Sequence, residues 1–145
     1  MIKINQKSDS PLDHKTECLI LPCLEEKKPH GTLKTIDDAL NSAITLAYKN
    51  KRFTGKPNQT LLLNSTGCLK SDNLLLVGVG KAKDVKVETI CNASATAVKL
   101  AEGSNFKSAS VYLNDDCFDK IAKDPVNREL AGAVAEGAGL ALYHF

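Results

Sequence analysis

The chain begins with Ile2-Lys3-Ile4-Asn5-Gln6, an apolar–polar alternation of period two that predicts a half-buried strand. Cys18-Leu19-Ile20-Leu21-Pro22 is a continuous apolar run and predicts a more deeply buried strand. Pro22 has no amide to give to a ladder and is expected to end it. Glu25 to Gly31 is charged and carries Pro29 and Gly31, the composition of a loop. Ile36, Leu40, Ala43, Ile44, Ala47 and Tyr48 then recur at helical spacing, so a helix is predicted over Ile36 to Tyr48. Thr35 is its expected N-cap, with Asp37 and Asp38 in the first turn, where acids suit the helix dipole.

Lys51 to Asn58 reads as a polar turn with Gly55 and Pro57. Two strands follow, Gln59 to Asn64 and Asn73 to Val79, joined by a link containing Gly67 that is short enough for neighbouring strands. Their leucine runs suit the middle of a sheet covered on both faces. Gly78 and Gly80 close the second run. A second helix is expected from Asp84 or Val85 to Glu102, with Val87, Ile90, Cys91, Ser94, Val98 and Ala101 on one face and Gly103 as its C′ residue. Ala109 to Leu113 is a further strand. Asp124-Pro125 is a helix-start signal, and the last helix, carrying Leu130, Val134, Ala138 and Leu142, is expected to end near Tyr143. Gly132, Gly137 and Gly139 lower its propensity and suggest close packing.

The predicted order is β-β-α-β-β-α-β-α, which implies an α/β layered sandwich. No internal repeat, low-complexity tract or domain boundary interrupts it, and 145 residues suit a single core. A hydrophobic fraction of 43% with 25% charged residues is that of a globular domain. The net charge is +2 and the lysines are scattered, without the dense basic stripe of a nucleic-acid binder. No N-terminal signal precedes the first strand and no apolar run approaches the ~20 residues of a membrane span, so the chain reads as cytoplasmic. Five dispersed cysteines (Cys18, Cys23, Cys68, Cys91 and Cys117) fit reduced, half-buried thiols better than a disulfide framework. The sequons at Asn58, Asn64 and Asn92 are then chance matches. The chain stops almost on the last turn of its predicted final helix, at His144-Phe145, which has the look of a cut.

Candidate chemistry is thin. Gly78-Val79-Gly80 invites a dinucleotide reading, but the third glycine of G-x-G-x-x-G would stand at Lys83. A tight strand-to-helix turn accounts for the pair. Gly55-Lys56 lacks the upstream Gly and the Ser or Thr of a phosphate-binding loop. His14, Cys18, Cys23 and His30 are spaced unlike the short paired ligands of structural zinc, and thiols flanking a strand behave as small hydrophobes. The carboxylate pairs Asp37-Asp38 and Asp115-Asp116 sit at element ends, where capping and turns explain them. No nucleophile motif of the G-x-S-x-G kind is present. No catalytic, cofactor-binding or metal residue is therefore assigned.

Three stretches carry a resemblance. Phe53-Thr54-Gly55-Lys56 followed by Gln59-Thr60-Leu61-Leu62-Leu63 resembles the F-x-G-K…x-T-L-L-L segment of the leucine (cytosol) aminopeptidases. Leu74-Leu75-Leu76-Val77-Gly78-Val79-Gly80-Lys81 is similar to the LLLVGLGK strand of the same N-terminal domain. Ala135-Glu136-Gly137 through Leu140-Ala141-Leu142-Tyr143-His144-Phe145 resembles that family's AEG…LG-Y-x-F helix, with Ala141 where the family often has Gly. The stretches occur in the family's order, and the resemblance spans roughly positions 17 to 145.

The resemblance implies a three-layer α/β/α sandwich with a mixed sheet, like a macro domain. It implies one non-catalytic N-terminal domain over residues 1–145, with a C-terminal catalytic domain absent from this chain. The intact enzyme would be a hexameric, two-metal aminopeptidase using manganese or zinc, whose metal ligands and catalytic Lys and Arg all lie in that absent domain. The expected role here is in assembly and access. Two alternatives stand beside it. One is a free-standing macro-like module binding ADP-ribose or a related nucleotide near Gly78 to Lys81. The other is a nucleic-acid binder using Lys49, Lys51, Arg52, Lys56, Lys81, Lys83 and Lys86, which solvated loop lysines explain more simply.

Overall fold

The structure is a computed structural model that describes residues 3–7, 15–25, 31–65, 67–81, 84, 87–113 and 139–144. Its elements are β1 (Lys3–Lys7), β2 (Cys18–Leu24), α1 (Gly31–Ala39), α2 (Ala43–Lys49), β3 (Thr60–Asn64), β4 (Asn73–Gly80), α3 (Val87–Gly103), β5 (Ser108–Leu113) and β6 (Gly139–His144). The strands form one mixed sheet in the order β1-β6-β5-β2-β4-β3. β2 runs parallel to β4 and to β5, while β3, β6 and β1 join antiparallel.

β2 and β4 are the buried centre. Alternation along a strand sends Leu19, Leu21 and Cys23 of β2, with Leu74 and Leu76 of β4, to one face. There they pack with Leu33, Ile36, Leu40, Ile44, Ala47 and Tyr48 of the first two helices. Against the other face lies α3, which contacts β2, β4 and β5. Its buried side is made of small residues, Ala93, Ser94, Ala97, Val98 and Ala101, which let the helix lie close to the strands. A mixed sheet between two helical layers is the α/β/α sandwich expected.

The sequence predicts one helix over Ile36 to Tyr48; the structure has two. Asn41 and Ser42 take left-handed φ values of 56° and 65° and break the run. Thr35 is thus a mid-helix residue of α1, and Asp37 is no first-turn acid. Asp37 is fully buried and its carboxylate reaches across the break. Oδ1 accepts from the backbone amides of Ile44 (2.8 Å) and Thr45 (3.0 Å), and Oδ2 from the Thr45 hydroxyl. It caps α2 from seven residues away, a role Ser42 at the cap position does not take. The apolar positions keep helical spacing across the break, so periodicity alone could not reveal it.

Other expectations are corrected at the strand ends. β2 continues through Pro22 to Leu24. Pairing with β5 stops at Ile20, so at Pro22 the strand is locally an edge, where a missing amide is tolerated. β4 is buried on both faces, but β3 is an edge strand with Leu62 45% exposed. α3 begins at Val87 and includes Gly103; the left-handed residue beyond it is Asn105, with φ 67°. The predicted final helix is corrected over its last turns: Gly139–His144 is a strand paired with both β1 and β5. Leu142, at helical spacing from Ala138, also alternates with Leu140 as a strand requires, and the glycines already weakened the helical reading. The rest of that prediction, with Asp115-Asp116, lies outside the described residues.

Two tests follow from this packing. Asp37→Ala is expected to cost about 3 kcal/mol in chemical denaturation, because three donors, one buried and two partly buried, lose their acceptor. Asp38→Ala, at an exposed ion pair with Lys34 (2.9 Å), should cost under about 0.5 kcal/mol.

Candidate functional site

The C-terminal ends of parallel strands are where open α/β sheets bind ligands. Here β2 and β4 end together, and the segment 53–58 crosses over them as a strap. The sequence reads this segment as a polar turn, yet Phe53 is fully buried. Its ring meets Tyr48 edge to face at 5.7 Å, and the Tyr48 hydroxyl donates to the Leu24 carbonyl (3.4 Å). The Gly80 amide donates to the Gly55 carbonyl (2.9 Å) and the Asn58 amide to the Gly78 carbonyl (2.9 Å).

This crossing is backbone against backbone. A Cβ on Gly78 would lie 2.0 Å from the Lys56 carbonyl oxygen, and one on Gly55 2.2 Å from that of Leu24. Gly55 also has φ 89°, open to glycine and rarely to other residues. The glycine pair Gly78-Val79-Gly80 therefore belongs to β4 itself, and Gly78 is required by the strap rather than by a strand-to-helix turn. Gln59 completes the crossing: its side-chain oxygen accepts from the amides of Thr54 (2.9 Å), Gly55 (3.2 Å) and Lys56 (3.3 Å), and from the Thr54 hydroxyl (3.3 Å). Successive amides pointing inward make a concavity suited to an acceptor, and the chain fills it with its own amide. Nothing in the sequence pattern singled out Gln59.

Beside the strap lies an open cavity of about 460 Å³ lined by Glu25, Pro57, Val79, Gly80, Lys81, Asp84 and Thr89. Glu25 Oε2 and Lys81 Nζ stand 4.0 Å apart across it.

Of the four His and Cys residues set aside as metal ligands, Cys18 and Cys23 are buried in β2, while His14 and His30 lie outside the described residues. The Cys23 thiol donates to the Leu21 carbonyl (3.2 Å). Burial pushes the Cys18 thiol from its ordinary 9.0 up to about 12. Cys68, on the β3–β4 link, is exposed, so the three described thiols divide into buried and exposed where half-buried ones were expected. Among the described residues no three His, Cys, Asp or Glu side chains stand close enough to hold a metal ion. Lys49, Lys51, Arg52, Lys56 and Lys81 are exposed; Lys83 and Lys86 lie outside the described residues.

The sheet order, the two helical layers and the crossed strand ends define a macro-domain-like sandwich. The macrodomain of Mycobacterium tuberculosis DarG superposes on it with a TM-score of 0.58 at 14% identity, over 73% of this chain and 72% of that one. This likeness establishes the fold alone. The sequence profile of the cytosol aminopeptidase family, N-terminal domain, matches residues 20–145, and the chain belongs to that family. A probable cytosol aminopeptidase of Stutzerimonas stutzeri (strain A1501) is 34% identical over 134 residues, 90% of this chain and 26% of the relative. That of Geotalea uraniireducens (strain Rf4) is 28% identical over 140 residues, 97% of this chain and 27% of the relative. The cytosol aminopeptidase of Pseudomonas aeruginosa PAO1 is 33% identical over 109 residues, 75% of this chain and 22% of the relative. The chain thus spans about a quarter of the length of these curated relatives. No helix among the described residues is long and apolar enough to cross a membrane.

Gly78→Ala is expected to cost about 3 kcal/mol or to prevent folding, since backbone on both sides must move. Gly103→Ala, with nothing within 4 Å of the added methyl, should gain about 0.5 kcal/mol by the same denaturation measurement.

The thiols make a second test. Folding favours the neutral Cys18 thiol, so its contribution to stability is intact below pH 9 and is lost as pH rises from 9 toward about 12. Thermal melts should fall across that window, and more shallowly in Cys18→Ala. Peptide mapping after alkylation of the native protein should find Cys68 modified and Cys18 and Cys23 protected.

Proposed function

We propose that this chain serves as the non-catalytic N-terminal domain, residues 1–145, of a metal-dependent leucyl aminopeptidase. The intact enzyme would remove N-terminal amino acids from peptides in the cytoplasm, with two manganese or zinc ions held in a C-terminal catalytic domain. The domain's own task would be assembly of a hexamer and control of access to the active sites.

The observation that carries this reading is the family match over residues 20–145, combined with relatives whose length exceeds this chain's about fourfold. The relatives are named as aminopeptidases, and peptide hydrolysis by two metals needs ligands converging on a pair of ions.

The test compares the longer protein with a form lacking residues 1–145, and both with the 145-residue chain. The chain alone, supplied with manganese or zinc, is expected to release no leucine from a leucyl peptide. The shortened protein is expected to lose its oligomeric mass in sedimentation while retaining bound metal. Hydrolysis by the chain alone would overturn the reading, as would a shortened protein that assembles and turns over like the intact one.

A further inference from the structure

The cavity beside the strap has a lining that selects a pattern of charge. Its described rim carries two carboxylates, Glu25 and Asp84, one ammonium, Lys81, and the apolar surfaces of Pro57 and Val79. Among its described residues a polyphosphate would meet two like charges for one opposite. A simple cation would meet Lys81, and a wholly apolar ligand would strand all three charges. A molecule with an ammonium and a carboxylate on one carbon, and a short aliphatic tail, meets a matching surface with each of its parts.

The cavity is also suited to admit it. Glu25 and Lys81 form a long ion pair at 4.0 Å, with side chains 24% and 60% exposed. Such exposed pairs contribute about 0–1 kcal/mol, so parting them for a ligand costs little. The opposite wall is rigid: Pro57 belongs to the strap held by Gly55, Gly78 and the Gln59 amide, and a preformed wall needs no ordering on binding. A volume of about 460 Å³ leaves room for a small ligand and its waters.

We propose that this cavity binds a free α-amino acid with an aliphatic side chain. The ammonium faces Glu25 and Asp84, the carboxylate faces Lys81, and the side chain lies against Pro57 and Val79. Amino acids of this kind are what an aminopeptidase releases, so the site would let product report back to the enzyme. That link rests on the function proposed above; the site itself does not.

The experiment is an amide NMR titration of the 145-residue chain with L-leucine. Leucinamide, which lacks the carboxylate, 4-methylpentanoate, which lacks the ammonium, and inorganic pyrophosphate serve as comparisons. L-Leucine is expected to give saturable shifts centred on Glu25, Val79, Gly80, Lys81 and Asp84. Each comparison compound should bind at least about tenfold more weakly, as should L-leucine to Lys81→Met and to Asp84→Asn, since each loses one charged contact. Both residues are exposed, and unchanged spectral dispersion would confirm that the variants fold. The proposal is overturned by absent saturation, by a one-ended analogue that matches L-leucine, by tighter binding of pyrophosphate, or by either variant binding like the parent. None of these outcomes bears on whether the longer protein is a peptidase, which the deletion comparison decides separately.

Discussion

β2 and β4 lie side by side with their ladder groups satisfied by each other and by β5 and β3, and their side chains are taken up alternately by two layers of helix. With both faces covered, solvent reaches this pair only at its ends, and each end needs its own closure. At the N-terminal end the closure is polar. The Asn73 amide nitrogen donates to the Glu17 carbonyl (3.0 Å), the Lys107 amide to the Glu17 carboxylate (2.6 Å), and the Asp72 amide to the Thr16 carbonyl (3.2 Å). At the C-terminal end the closure is the strap, pressed so near that two glycines are the cost of the contact. The central burial thus determines where the chain must cross itself, and the crossing in turn makes the wall of the cavity.

Much of this was legible in the residues, and the misses share a cause. The apolar runs of β2, β3 and β4 and the helical face of α3 report burial directly, so their positions were read within a few residues. What periodicity cannot report is a break that preserves phase, as at Asn41 and Ser42, or a run that fits two periods, as at Gly139–His144. Nor does it distinguish a leucine strand in the centre of a sheet from one at the rim, which is why β3 was expected to be covered on both faces. Asp37 and Gln59 were missed as linchpins for a related reason. Each acts on backbone amides brought to it by the fold, and no residue type announces that role in advance.

The residues that carried the family resemblance now have a physical meaning. Phe53, Gly55, Gln59, Gly78 and Gly80 are the anchor, the two contact glycines, the plug of the amide concavity and the hydrogen-bond partner of the strap. They encode a self-crossing of the chain and no bond-breaking chemistry. A family can therefore be recognised in this domain from residues that serve the packing of the backbone.

Among the described residues β3 has a strand on one side only, and its sequence, Thr60-Leu61-Leu62-Leu63-Asn64, contains neither a charge nor a proline. Sheet rims in soluble proteins are commonly guarded by lysine, proline or a bulge, because an unguarded rim templates further strands. Among the described residues the guard here is brevity, five residues with Leu62 turned partly to water. Handling the domain is therefore a question of colloidal behaviour as well as of folding. A rim of this kind can offer its backbone groups to a second copy of the chain, an association that grows with protein concentration.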